Sequence, residues 1–221
     1  MTPTMLLLLL IADCSIQTLN AWKSCLFCSD VVTPTDCSRI QRCGPNEECF
    51  TDMYVTAVGG TRYNLGCRDT RQCTRAQADF EDMGNIMICS ECCSGNVCNN
   101  AGCKYKGYPS PRGPICNNCA LQADIDDCDK ITMCQQDEVC MLQKAFNPAT
   151  HESRYKTHCE KEAVCYDKIQ KLKRAIESIV GKRQTQNILR YGGGPCLMKC
   201  CDTDMCNNNC NGTSQSDYIA N

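Results

Sequence analysis

The sequence predicts a small, disulfide-rich β-protein made of two similar domains in tandem. Cysteine accounts for 25 of the 221 residues, a proportion typical of disulfide scaffolds. Aromatic residues make up only 6%, so apolar burial alone is too small and cross-links must add stability. The phrase ECCSGNVCNN at 91–100 returns as KCCDTDMCNN at 199–208, which indicates an internal duplication.

The duplication extends over twelve cysteines in each half of the chain. Successive cysteines are separated by 2, 8, 5, 5, 17, 5, 15, 2, 0, 4 and 4 residues in the first half, and by 2, 8, 5, 5, 18, 5, 30, 3, 0, 4 and 3 in the second. We call residues 25–103 the first copy and residues 116–210 the second copy. Because each copy has an even number of cysteines, we expect disulfides to close within each copy. Counting alone leaves many pairings open, although the neighbours Cys92 and Cys93, like Cys200 and Cys201, should have different partners.

The remaining segments suggest how the chain is divided. The apolar run MLLLLLIA at 5–12 is too short to span a bilayer and precedes small residues, as in a secretory signal peptide. Three prolines between the copies indicate a stiff spacer. The tail lacks an apolar segment, so we expect neither a transmembrane span nor a lipid anchor, and we expect an extracellular, secreted protein. The predicted division is signal peptide 1–21, first domain 22–103, linker 104–115, second domain 116–210 and C-terminal tail 211–221.

The cysteine spacing resembles that of three-finger domains, the superfamily of snake neurotoxins, urokinase-receptor-type and lymphocyte-antigen-type domains. The resemblance covers nearly all of both copies and includes the closing motifs CCSGNVCN at 92–99 and CCDTDMCN at 200–207. It implies that Asn99 and Asn207 tie each domain together through hydrogen bonds to main chain.

The resemblance also implies the disulfide pairing. In the first copy the implied pairs are Cys25–Cys49, Cys28–Cys37, Cys43–Cys67, Cys73–Cys92 and Cys93–Cys98; in the second they are Cys116–Cys140, Cys119–Cys128, Cys134–Cys159, Cys165–Cys200 and Cys201–Cys206. Two further cysteines stand at like positions in each copy, so we expect a sixth bond between Cys89 and Cys103 and between Cys196 and Cys210. An exchange of partners between Cys89 and Cys92 stays open.

The second finger of each copy is predicted to be a hairpin with an exposed tip. In the first copy, Gly59-Gly60 lies between strand-forming residues, which is typical of a tight turn. In the second copy, NPAT at 147–150 is also turn sequence. We expect partner contacts at these tips, between Met53 and Arg62 and between Lys144 and Arg154, with Tyr54, Arg62, Lys144, Phe146 and Arg154 as candidates.

The long gap between Cys165 and Cys196 predicts a helical insertion in the third finger of the second copy. Residues 168–180 carry an apolar stripe, Asp167 is a candidate N-cap, and Gly181 is a candidate C-terminus. The helix either packs its stripe on its own domain or presents a basic ridge, including Lys171 and Arg174, to an acidic partner or membrane surface.

Other chemistries receive little support from the sequence. The net charge of −2 gives no indication of nucleic-acid binding. The C-x2-C pairs favour disulfides over zinc or redox sites in an exported chain. Asp126 and Asp127 are more typical of a solvated turn than of a metal site. No nucleophile, phosphate-loop or metalloprotease motif is present, so we expect neither an enzyme nor a cofactor.

The function predicted from these features is non-enzymatic binding of a protein partner, such as a receptor, channel or secreted enzyme, through disulfide-stabilised loops. A venom or defensive toxin acting on a receptor is one alternative. A structural protein of extracellular matrix or mucus is another. The sequon at Asn211 predicts a glycan if the chain passes through a eukaryotic secretory pathway.

Overall fold

The computed structural model describes residues 22–73, 85–147, 149–181 and 197–209. Over these residues the fold is mostly β and rich in disulfides, with two four-stranded and two two-stranded sheets. These are the features predicted for tandem finger domains. The signal-peptide prediction, Cys196, Cys210, Asn211 and the tail lie outside the described residues.

The first copy forms a four-stranded and a two-stranded antiparallel sheet. The larger sheet has the order β2-β5-β4-β6 and the smaller one pairs β1 with β3. The long hairpin of β4 and β5 is the predicted second finger, because strand-forming residues flank the Gly59-Gly60 turn on both sides. The elements are β1 (Ser24–Leu26), β2 (Cys28–Val31), β3 (Ile40–Arg42), β4 (Glu47–Val55), β5 (Thr61–Asp69), α1 (Thr70–Cys73) and β6 (Ile86–Cys93).

The second copy repeats this arrangement. Its larger sheet has the order β12-β10-β11-β8, and β7 pairs with β9. The helix α2 follows β11 and precedes β12 in the chain, which is the predicted insertion in the third finger. The elements are β7 (Ile115–Asn117), β8 (Cys119–Gln122), β9 (Ile131–Met133), β10 (Glu138–Asn147), β11 (Glu152–Lys161), α2 (Glu162–Val180) and β12 (Met198–Cys201).

Eleven disulfides link the described cysteines, and each closes within one copy. They are the ten pairs that the three-finger resemblance implies together with Cys89–Cys103, so Cys92 pairs with Cys73. In each copy three of the bonds pack together at the base of the fingers. This cluster replaces much of the apolar core that so few aromatic residues cannot supply.

The helix α2 begins earlier than the sequence predicts. It starts at Glu162 and has no side-chain cap at Lys161. Asp167 is therefore not the N-cap; it lies inside the helix, where its carboxylate pairs with Lys171 at 2.7 Å. The predicted end is present, since Gly181 follows the helix with φ of +80° and donates its main-chain N–H to the Glu177 carbonyl.

The two copies meet along β3 and β9. The Ile40 main-chain N–H donates to the Asp129 carbonyl at 2.8 Å, and the Ile131 N–H donates to the Ser38 carbonyl at 2.9 Å. Ile131 stands 91 residues after Ile40, and Asp129 stands 91 after Ser38. The two hydrogen bonds are therefore equivalent: each joins the same pair of repeat positions, with the copies interchanged. The contact therefore has local two-fold pseudosymmetry.

One apolar cluster runs through this contact. The first copy contributes the buried side chains of Leu26, Cys37, Ile40, Leu65 and Val97. They pack with Ile115 at the start of β7 and with Ile131 and Met205 of the second copy. Burial of this kind stabilises an interface roughly in proportion to the apolar area removed from water. The copies therefore pack as one body in the described part of the chain.

The predicted linker is docked against both copies. The Tyr105 hydroxyl lies 2.7 Å from the Thr35 hydroxyl, and Tyr108 packs against the shared apolar cluster. Arg112 forms a two-pronged ion pair with Asp204, with both nitrogen–oxygen distances 2.8 Å. The segment is more than a spacer, because its side chains connect the first copy to the closing loop of the second.

Candidate binding surfaces at the finger tips

The first tip is a tight loop between β4 and β5. The Thr56 N–H donates to the Gly60 carbonyl at 2.9 Å, and the Gly59 N–H donates to the Thr56 carbonyl at 2.8 Å. Gly59 has φ of +85°, a conformation that side-chain-bearing residues rarely adopt. The loop is therefore fixed by its own hydrogen bonds and needs little further ordering to meet a partner.

Two of the predicted contact residues at this tip already have partners within the protein. Tyr54 is only 7% exposed, and its hydroxyl donates to Asp30 at 2.9 Å. Burial, with this hydrogen bond, raises the pKa of Tyr54. Arg62 lies 3.6 Å from the same carboxylate. The burial of Tyr54 corrects its selection as a contact residue. Its neighbours along β4, Met53 and Val55, are apolar and half-buried, so the local sequence carried no signal of this difference.

The most exposed apolar side chains at this end are not among the named candidates, although Val58 lies within the range predicted for partner contacts. Val58 at the tip is 94% exposed and Ile86, at the start of β6, is 65% exposed. Ile86 lies opposite Val55 in the sheet. The first tip therefore presents mainly aliphatic side chains.

The second tip combines aromatic and basic groups. Phe146 is 59% exposed and its ring lies edge-on to His151 at 6.3 Å. The Lys144 ammonium lies 5.3 Å from the Tyr155 ring centre, a cation–π distance. Arg154 pairs with Glu152 at 2.9 Å. Phe146 is thus the most available of the candidates predicted here.

The predicted basic ridge on α2 is partly neutralised within the protein. Lys168 contacts Glu160 at 2.6 Å, and its hydrogen bond lowers the pKa of that carboxyl. Lys171 pairs with Asp167. The Arg174 Nε donates to the Gln170 carbonyl at 3.4 Å, while the side chain is exposed. The ridge still has exposed cations, but acidic partners offset the charges of Lys168 and Lys171. Its net positive charge is therefore smaller than the number of basic residues suggests.

The same helix packs on its own copy at one end only. Ile169 and Cys165 are buried against Val139 and Met141, whereas Ile179 is 82% exposed. The apolar stripe predicted from the sequence is therefore used over its first half. Among the residues that the structure describes, no helix has the length and apolar character to cross a membrane.

The turn at Asp126 and Asp127 has a structural role that the sequence did not reveal. The Asp126 carboxylate pairs with Arg42 of the first copy, and Asp129 pairs with Arg39 at 3.2 Å. These acids thus flank the pseudosymmetric contact. These ion pairs join residues that are distant in sequence and meet only where the two copies pack. No local motif could therefore indicate them.

Comparison with known proteins gives a limited similarity. No protein-family model matches the chain. The chain is 33% identical over 81 residues to "Sperm acrosome membrane-associated protein 4" of Bos taurus, a match that covers 36% of this chain and 63% of the relative. The chain thus spans a little under two thirds of the length of that relative. Together with the disulfide-rich β-structure, the similarity is consistent with a three-finger type of fold.

Proposed function

We propose that the protein is an extracellular, non-enzymatic binding protein that engages a protein partner through its two central fingers. These are the second finger of each copy, the β4–β5 hairpin and the β10–β11 hairpin. The observation that carries the proposal is the contrast between fixed backbone and exposed tips. Disulfide-linked strands hold each hairpin and turn hydrogen bonds fix the first tip, while Val58 and Phe146 are 94% and 59% exposed. A preorganised loop loses little conformational entropy on binding, so more of its contact energy contributes to affinity.

The chemistry of the tips favours a protein over a small ligand. Aliphatic and aromatic side chains on rigid loops are typical anchors of protein interfaces. Two pockets among the described residues have volumes of about 190 and 320 Å³, at or below the low end of small-molecule sites. The relative named for its association with the acrosomal membrane supports a partner at a cell surface. A receptor and a channel fit a partner at a cell surface, and the same tips would also suit a secreted enzyme.

Photo-crosslinking from the tips tests the proposal. A photoreactive phenylalanine is introduced at Val58 or at Phe146 in separate full-length variants, and each is irradiated with extracellular extract of the producing tissue. The matched control carries the same group at Ser94, an exposed position in a loop at the base of the first copy. We expect one crosslinked protein from at least one tip variant and none from the control. Equal crosslinking from all three positions, or none from either tip, would overturn the proposal.

A further inference from the structure

The direction of the strands in the first copy fixes where its finger points. β4 runs from the base to the tip and β5 returns to the base. β2 is antiparallel to β5 and therefore runs toward the tip. β1 leads into β2 with only Phe27 between them, and the Phe27 N–H still pairs with the Arg39 carbonyl at 2.9 Å. Since β3 is antiparallel to β1, β3 runs from the tip side toward the base.

The same relationships hold in the second copy. β8 is antiparallel to β11, and β7 leads into β8 with only Asn118 between them. The Asn118 N–H pairs with the Lys130 carbonyl at 2.8 Å, which continues the β7–β9 ladder. β9 is antiparallel to β7. It therefore also runs from the tip side toward the base of its own finger.

The contact between the copies reverses one finger relative to the other. Arg39 and Lys130 form an antiparallel bridge, so β3 and β9 point in opposite directions where they meet. Each pairing step adds a twist of roughly 20–25°, which turns the finger axes away from strict opposition. Five pairings separate β5 from β11, and their summed twist of roughly 100–125° leaves the two finger axes inclined by about 55–80°. The two tips therefore diverge from the shared cluster.

We propose that the protein is bivalent: its central fingers diverge from the β3–β9 contact, so that one molecule binds two partner proteins at once, one at each tip. This inference depends on the proposed function. The tips differ in chemistry, which suits two different partners. The first presents Val58 and Ile86 and fits an apolar concavity. The second carries Lys144, Arg154 and Lys156 against Glu152, a local excess of +2, and fits an acidic protein surface.

The tip separation tests the geometry without any partner. Spin labels are attached through encoded azidophenylalanine at Ala57 and Ala149, because thiol labelling would disturb the disulfides. With a rise of about 3.3 Å per residue over about nine residues per finger, and with the twist above, we expect one distance between about 35 and 65 Å. Labels at the matched base positions, Ser94 and Asp202, should give a shorter distance. A tip distance below about 25 Å, or one shorter than the base distance, would overturn the inference.

Simultaneous occupancy is tested with antibody fragments, since the natural partners are unidentified. One Fab is selected against each tip, with Val58→Asp and Phe146→Ala variants used to discard binders to other surfaces. We expect light scattering to detect one protein with two Fabs, and each Fab to leave the affinity of the other unchanged within about twofold. Mutual exclusion would overturn bivalency. Because neither measurement uses the natural ligand, failed crosslinking combined with a long tip distance would reject the proposed function and leave the geometry intact.

Discussion

Asn99 and Asn207 make the same three hydrogen bonds in the two copies. The side-chain oxygen of Asn99 accepts from the Leu26 N–H at 2.9 Å, and its amide donates to the carbonyls of Leu26 and Phe50. Asn207 makes the equivalent bonds to the N–H and carbonyl of Asn117 and to the carbonyl of Met141. Both side chains are fully buried, so each joins two strands of its copy where water cannot replace it.

Replacing either asparagine by alanine should therefore be strongly destabilising. An Asn207→Ala change removes a hydrogen bond from each of three buried main-chain groups, and each group left unsatisfied costs about 1–3 kcal/mol. We expect the free energy of unfolding in denaturant, with disulfides intact, to fall by at least about 3 kcal/mol. Asn208→Ala, which removes a neighbouring and less buried amide, is the matched control and should change stability by less than about 1 kcal/mol. Similar losses for both variants would contradict the argument.

The Asp52–Arg68 pair should contribute to the stability of the first copy through its burial. The Asp52 side chain is 2% exposed and that of Arg68 13%, and the Ser90 hydroxyl donates to the carboxylate at 2.6 Å. Removing one partner leaves an unpaired buried charge, so Asp52→Ala should cost about 3–5 kcal/mol. Glu152→Ala, which breaks an exposed pair with Arg154, should cost less than about 1 kcal/mol. Denaturant unfolding of both variants measures these losses. Equal losses of unfolding free energy would refute a role for burial.

Substitution at the contact between the copies should loosen both at once. Ile40→Ala removes buried aliphatic volume beside the pseudosymmetric bonds and should cost about 2–5 kcal/mol. Hydrogen exchange should then accelerate at the Ile131 amide, although that residue lies in the other copy. Lys130→Ala removes an exposed side chain at the same contact and should leave exchange unchanged. Unaltered protection at Ile131 in the Ile40 variant would show that the copies open independently.

The ion pair of Arg112 and Asp204 should make the docking of the linker dependent on pH. Burial alone would raise the pKa of Asp204, but hydrogen bonds from Arg112 and from the Ile115 N–H, with the Arg112 charge, lower it below its ordinary value near 3.8. A lowered folded pKa contributes stability above the unfolded pKa, and this contribution is lost as the pH falls through the folded value.

The melting temperature should therefore decrease below about pH 4, and Asp204→Asn should flatten the part of this decrease that the pair contributes. The near-ultraviolet signal of Tyr108, which Arg112 overlies at 5.7 Å, should change over the same pH range. If the Asn variant has the same acid dependence as the parent protein, the linker is not held by this charge.

The two halves of α2 should respond differently to truncation. Ile169 is buried against the sheet, so its replacement by alanine should lower the free energy of unfolding by about 2–5 kcal/mol. Ile179→Ala should change stability by less than about 0.5 kcal/mol, since its side chain is largely exposed. Circular dichroism during denaturation provides the measurement. A large loss from Ile179→Ala would mean that the end of the helix is packed after all.

Much of the fold could be anticipated because cysteine spacing and local turn sequence determine it. The Gly59-Gly60 hairpin and the C-terminal glycine of α2 are local signals, and the structure contains both. The start of α2 was misplaced because Lys161, which precedes the helix, makes no side-chain cap that would mark it. The buried Cys165 instead holds this first part of the helix against the sheet. Local sequence cannot reveal such an extension.

The contacts between the copies could not be anticipated for a related reason. Arg42 and Asp126 lie far apart in sequence, and neither belongs to a periodic pattern. Tyr54 was misread because strand-forming aromatic residues near a turn suggest exposure, whereas its hydroxyl is held by Asp30 from another strand. Exposure at the tips depends on the register of neighbouring strands, which the spacing of cysteines does not specify.

The charges at the contact between the copies lie on opposite sides. Arg39 and Arg42 belong to the first copy, and the acids that meet them, Asp126 and Asp129, belong to the second. The positions equivalent to those acids in the first copy are Thr35 and Ser38. Two first copies would thus face each other with four arginines and no acid at the positions that pair with them. The charge asymmetry therefore disfavours association of two first copies from neighbouring molecules and makes the first copy complementary to a second copy.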